Sequence, residues 1–213
     1  NDVIYFQIDS DGRCRTGKIM KYNPETGKRV KDENTKGKIN WVHSILKRTG
    51  HLPEEWELTQ CLFGEHLLKQ FPDMPVALVE SEKTAIICSG LMPNYLWLAT
   101  GGKSQFNERL KVLYGRDVVA FPDVDGYTTW CEKVKDFPDL NISVSNLLQS
   151  NATQEDMENH IDIADWLIRW KLQPKTFETE KRNITFEKVK AFVSEEYHEE
   201  VLALIEDLDL IIF

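Results

Sequence analysis

The chain has 213 residues, 41% of them hydrophobic and 29% charged, which is enough for one sizeable core or a core with a small appendage. Its net charge of −9 argues against indiscriminate nucleic-acid binding over the whole surface. No apolar stretch reaches the roughly 18–20 residues that span a bilayer, no secretory leader opens the chain, and a cytoplasmic protein is expected.

Residues 2–8, "DVIYFQI", and 16–22, "TGKIMKY", read as strands, with the Asp-Gly turn signal of "DSDGRC" between them. "YNPETGKRV" is a second reversal, with Pro24 and Gly27 supplying its turn chemistry. This small antiparallel unit is basic: residues 13–48 carry 11 Lys/Arg against 3 Asp/Glu, whereas residues 151–213 carry 7 against 15. Arg13, Arg15, Lys18, Lys21, Lys28 and Arg29 lie on the hairpin, where alternate residues can share a face with Tyr22. Such a surface suits single-stranded or hybrid nucleic acid, and it equally suits a solvated charged hairpin. Helices are predicted at 39–46 and 58–71.

From Met74 the pattern becomes alternating strand and helix: strand 76–80, helix 81–90, strand 95–100, helix 104–114, strand 117–122, helix 127–137 and strand 141–148. That order predicts an α/β fold with a mostly parallel sheet flanked by helices. An amphipathic helix follows at 160–172, and charged helices are expected within 185–206. We divide the chain into a basic β/α segment (1–72), a parallel-sheet domain (73–150) and an acidic helical segment (151–213).

Functional groups of a parallel sheet gather where strands end and helices begin. "VALVESEKTAI" places Glu80 at such an end, and "VVAFPDVDG" places Asp123 and Asp125 at another. Alone, Glu80 reads more readily as a solvated or helix-capping strand end, and "PDVDG" more readily as an Asp-rich turn. If the two strands are neighbours, the three carboxylates converge, and their repulsion makes sense chiefly around a divalent cation. Mg²⁺ or Mn²⁺ held by Glu80, Asp123 and Asp125 would serve phosphoryl-transfer chemistry. Gly101, Gly102 and Lys103, ahead of a helix, offer backbone N–H groups and an ammonium to a phosphate, or simply a turn.

Asp162 and Asp165, three apart on a helix, are candidate supporting acids or part of a solvated face. The five histidines form no metal-ligand pattern. Trp97, Trp130, Trp166 and Trp170 are expected in the core. Cys14, Cys61, Cys88 and Cys131 are far apart with no Cys-x-x-Cys pair, which argues against a zinc ribbon; Cys88 and Cys131 read as buried thiols.

Several of these motifs resemble the Toprim-type catalytic cores of bacterial, phage and mobile-element primases. "VESEKTAI" is similar to the first Toprim motif through Glu80, Glu82, Lys83 and Ala85, and "FPDVDG" to the later Asp-x-Asp motif through Asp123 and Asp125. "LATGGKSQ" resembles the small-residue loop after the second Toprim strand, and "CLFGEHLL" the Leu-Phe-Gly helix upstream of the glutamate. "HIDIADWLI" resembles the Asp-x-x-Asp stretch after the sheet, so the likeness spans roughly residues 2–170. Ser81 stands where the motif has glycine, Thr84 where it has aspartate, and no zinc ribbon precedes the β unit.

The resemblance implies metal-dependent nucleotidyl transfer. Glu80, Asp123 and Asp125 would hold Mg²⁺ or Mn²⁺, with Lys83 and Lys103 adding positive charge. Nucleotides, single-stranded DNA or a hybrid, and a helicase or replication partner are the implied associates. The alternative is a catalytically degenerate module, binding nucleic acid or protein, for which Ser81 and Thr84 speak. "DVDG" also resembles the nucleophile motif of haloacid-dehalogenase-type phosphohydrolases, but it follows the third strand rather than the first and is followed by Tyr127.

Overall fold

A computed structural model of the chain describes residues 2–30 and 39–172, together with 195, 198, 199 and 202. The chain divides into two compact units, Asn1–Ile168 and Arg169–Phe213, and both sheets lie in the first. Most of the helical stretch expected at 185–206 lies outside the described residues.

Strands β1 (Asp2–Ile8) and β2 (Cys14–Lys21) form an antiparallel pair, and β3 (Asn40–Trp41) joins the far edge of β2. The Asp-Gly turn between β1 and β2 is built on Asp9, whose carboxylate accepts the backbone N–H groups of Asp11 and Arg13, each at 2.9 Å. Helix α1 (Val42–Arg48) follows β3 directly.

The second sheet holds β4 (Val76–Val79), β5 (Leu96–Ala99), β6 (Val118–Ala120) and β7 (Ile142–Val144), all parallel, in the order β5-β4-β6-β7. Helices α2 (Glu82–Leu91), α3 (Tyr127–Val134), α4 (Leu147–Asn151), α5 (Gln154–Glu158) and α6 (Ile163–Leu172) complete the described elements. The fold is therefore mixed α/β, a parallel four-stranded sheet flanked by helices beside an antiparallel three-stranded sheet.

Strands covered on both faces read as continuous apolar runs, and "VALV" and "LWLA" do so because every residue in them is buried. Their period of two splits the core. Val76, Leu78 and Leu98 face Leu110, Leu113, Phe106 and Trp130, while Ala77, Val79 and Ala99 face Cys88, Phe121, Ile163 and Leu167. Truncating a leucine such as Leu78 in this packing would cost about 2–5 kcal/mol.

Two expected helices are corrected. Residues 58–71 contain only a 3₁₀ turn at Glu65–Leu67. Phe63 instead exchanges backbone hydrogen bonds with Ala99 (3.0 and 3.1 Å), extending the sheet edge, and this tertiary pairing overrides local helix propensity. Residues 104–114 form two 3₁₀ segments, Lys103–Gln105 and Glu108–Leu113. They are separated because Phe106 turns into the core against Trp130, with ring centroids 5.1 Å apart. Leu110 and Leu113, three apart and both buried, suit the three-residue period of that helix type. Strand β7 is also shorter than expected, since α4 begins at Leu147.

Two tryptophans and one cysteine depart from the expected core as well. Trp97, Trp130 and Cys88 are buried, but Trp166 is half-buried, Trp170 is 54% exposed and Cys131 is half-buried. Residue type alone set that expectation for the tryptophans and an apolar helix context for Cys131, and neither says which side of a helix meets the core.

Candidate active site

β4 and β6 are neighbours whose following connections leave in opposite directions, toward β5 and toward β7. The crevice at the carboxyl ends of such a strand pair is where α/β sheets bind ligands. Glu80 stands just past the end of β4, and Asp123 and Asp125 lie on the loop after β6. The Asp123 backbone N–H lies near enough to favour the charged Glu80 carboxylate, so the loop folds back over the end of β4. Gly126 permits this closeness. A Cβ there would sit 2.8 Å from Glu80 Oε1 and 3.0 Å from Pro122 Cβ.

Helix α6 adds two more acids. Val124, between the aspartates, donates its N–H to the Ile161 carbonyl at 3.1 Å, tying the loop to the start of α6. Asp162 is buried and accepts the Thr84 hydroxyl at 2.5 Å and the Asp165 N–H at 2.9 Å. Thr84, which stands where the motif has an acid, thus supports an acid instead. Ser81 has an extended backbone (φ −109°), so this position demands no glycine. Its side chain caps α2 by accepting the Thr84 N–H at 3.2 Å.

The electrostatics record the crowding. Burial, then the charges of Glu80, Asp162, Asp125 and Asp165, push the Asp123 carboxyl up to about 8, so it holds a proton at neutral pH. Burial also raises Glu80, against the opposing pull of the Asp123 N–H, Lys103 and Lys133. Asp165 is raised by burial and by Asp162. Glu80 Oε1 is buried and has no hydrogen-bond partner among the described residues.

The candidate cations take different places. Lys103 Nζ lies 3.1 Å from Asp125 Oδ2 and donates to the Asp125 carbonyl at 2.7 Å. Lys83, half-buried on α2, lowers Asp165 electrostatically. Gly101 and Gly102 adopt φ of 91° and 153°, a left-handed path that glycine alone takes without strain, and Gly101 N–H donates to the Glu80 carbonyl at 2.9 Å. The Gly101–Lys103 loop therefore borders the acidic crevice.

The basic hairpin does not present one open row. Lys18 is buried, donating to Glu82 Oε2 at 2.9 Å and to the Gly101 carbonyl at 3.0 Å. Arg13 and Arg15 both donate to Asp9 (2.9 and 2.7 Å), which holds that carboxyl well below the usual carboxylate range against the opposing effect of its burial. Tyr22 packs edge-on against Tyr5. Lys21, Lys28 and Arg29 are exposed. The alternation argument fails at Lys18 because its face of β2 packs toward the parallel sheet.

Sequence reasoning missed Gly126 and Arg109. The glycine's role is visible only as an approach of two chain segments. Arg109 is half-buried, feels the charges of Cys61, Glu65 and Glu82, and donates to Asn107 Oδ1 at 3.1 Å and to Gln105 Oε1.

Carboxylate oxygens, one of them orphaned and buried, are the donor chemistry of a hard divalent cation, and Mg²⁺ needs only one or two protein carboxylates. Glu80 and Asp123 fit that requirement. Among the described residues no three His, Cys, Asp or Glu side chains stand close enough to ligate one ion.

Residues 1–124 match the family described as "Domain of unknown function (DUF6371)". The chain belongs to the DUF6371 family. No curated protein matches it. Among solved structures, the DUF6371 chain is similar to the primase fragment of the bacteriophage T7 primase-helicase protein, at 13% identity and a TM-score of 0.43, covering 75% of this chain and 62% of that one. It thus spans under two thirds of that fragment. The primase domains of two T7 gp4 subunits, in a complex with lagging-strand DNA polymerase, an RNA/DNA hybrid and dTTP, give 14% identity and a TM-score of 0.43, over 75% of this chain and 76% of that one. The RNA polymerase domain of Mycobacterium tuberculosis primase gives 11% identity and a TM-score of 0.46, over 97% and 70%. At these values the function rests on the site's own chemistry.

Proposed function

We propose that the chain is the core of a primase-like nucleic-acid enzyme of a mobile element, working at the Glu80, Asp123 and Asp125 site, where Glu80 and Asp123 would hold Mg²⁺ or Mn²⁺ and Asp125, paired with Lys103, would border it. The observation that carries this reading is the gathering of carboxylates at the β4/β6 crevice, where Asp123 is driven to about 8 and Glu80 Oε1 is left without a partner. Unpaired carboxylates held this way are stabilised by a multivalent cation. When bound, the cation would supply electrostatic stabilisation to a nucleotide triphosphate and to the phosphorus under attack.

The chain's own groups have separable tasks. Asp123 holds a proton at neutral pH and gives it up as positive charge arrives. Gly126 keeps the loop against Glu80. Asp162, fixed by Thr84 and the Asp165 N–H, sustains the negative field from behind. The Gly101–Lys103 loop and Lys83 supply positive charge for phosphate oxygens, as the likeness to primase motifs suggests.

The test is template-directed incorporation of labelled ribonucleotides on single-stranded DNA with Mg²⁺ or Mn²⁺. Glu80→Gln and Asp123→Asn are expected to lower the rate by about 10²–10⁴-fold, the range for loss of a positioned catalytic group. A second reading, a degenerate binding module, is favoured by the Lys103–Asp125 pair, which already neutralises one of the three acids. Nucleic-acid binding without incorporation under any metal would select it.

A further inference from the structure

Between α1 and the segment around Trp56 lies an open cavity of about 520 Å³ lined by His43, Ser44, Lys47, Arg48, Trp56 and Leu58. His43 and Trp56 stack near-parallel, with centroids 5.8 Å apart and planes at 26°, and Trp41 packs on His43 at 5.7 Å. Thr16 Oγ1 fixes the His43 ring through Nδ1 at 2.7 Å. Burial lowers the His43 pKa, which favours the neutral ring as an aromatic plane. Lys47 and Arg48 are exposed and lie four residues after His43 and Ser44, hence on the same face of α1.

We propose that this cavity binds a nucleotide unit of single-stranded nucleic acid, its base against Trp56 and His43 and its phosphate on Lys47 and Arg48. The wall of Trp56 and the 44%-exposed Leu58 asks for a neutral, flat, apolar group, and the two cations ask for an anion. A nucleotide combines the two, whereas an acidic peptide supplies only the second. Glu54, Glu55 and Glu57 flank Trp56 in sequence, but none lines the cavity. The proposal deepens the primase-like reading and rests on it for purpose: Thr16 holds His43, and Lys18, two residues along β2, holds Glu82 and Gly101 beside the acidic crevice.

The test is fluorescence anisotropy of a labelled oligothymidine of roughly 12 nucleotides, a length within known single-strand site sizes, with EDTA present and the full chain as receptor. Trp56→Ala is expected to weaken binding by about 5- to 150-fold and Trp56→Phe far less. Lys47→Glu/Arg48→Glu, both solvent-exposed and safe for folding, should weaken binding and reduce the slope of log affinity on log salt by about 1.4. Competition by dTTP assigns the site to a free nucleotide and lack of competition to a strand; either is the chemistry proposed. Unchanged affinity in the Lys47/Arg48 variant, no binding by wild type, or displacement of the oligothymidine by a polyglutamate peptide as readily as by unlabelled oligothymidine overturns it. With EDTA present, this assay does not depend on a cation at the acidic crevice. Failure here therefore leaves the metal-dependent reading standing, and failure of ribonucleotide incorporation leaves this one standing.

Discussion

Replacing Asp123 with asparagine should stabilise the folded chain at high pH and leave it unchanged at low pH. The carboxyl rises from an ordinary 3.8 to about 8 in the fold, so between those values the folded state binds a proton that the unfolded state has lost. Stability then falls as pH rises through this window, because the unfolded state binds fewer protons. A rise of about 4 pH units at about 1.4 kcal/mol each sets a ceiling near 6 kcal/mol. Residual solvent access at the half-buried carboxyl reduces this to about 2–3 kcal/mol at pH 8. Asparagine is close in shape to the protonated acid and carries no titrating charge. Urea melts of both proteins from pH 4 to pH 8.5, in EDTA, would show curves that coincide at the acid end and diverge toward the alkaline end. A gap that is constant with pH, or an asparagine variant less stable at pH 8, would refute the claim that Asp123 is strained by its acidic neighbours.

Two further substitutions probe the frame of the site. Lys18→Met leaves Glu82 buried without its ammonium, and should cost about 3–5 kcal/mol in denaturant melts, most of it recovered in Lys18→Met/Glu82→Met. Gly126→Ala forces a methyl to within 2.8 Å of Glu80 Oε1, and should cost about 1–3 kcal/mol by thermal melt, less in a Glu80→Ala background.

The parallel sheet was legible because its strands are buried on both faces and interrupted by turn chemistry, so "VALV" and "LWLA" admit few other readings. The convergence of Glu80 and Asp123 was legible only conditionally. It required β4 and β6 to be adjacent, which strand order and not local sequence decides. Residues 58–71 misled because their apolar spacing is helical while Phe63 is claimed by Ala99, a partner 36 residues away. Lys18 misled in the opposite way: in a list of basic residues nothing separates the one that faces a buried glutamate from those that face water. Asp162 and Asp165 showed their shared helix face through spacing, but the burial that turns one of them toward Asp123 comes from Thr84 and from the Val124–Ile161 tie. The Trp41–His43–Trp56 row joins residues from β3, α1 and a loop, with no periodic signature.

The central claim is that Glu80, Asp123 and Asp125 form one cation-responsive site. Calorimetric titration of Mn²⁺ into the wild type and into Asp123→Ala/Asp125→Ala, with and without nucleotide, tests it most directly. The account predicts binding by the wild type near pH 7 with release of about one proton, seen as heats that vary with the buffer's ionisation enthalpy, since Asp123 is protonated beforehand. It predicts neither binding nor proton release in the double variant. Identical isotherms for the two proteins, or no Mn²⁺ binding by the wild type even with nucleotide present, would contradict it.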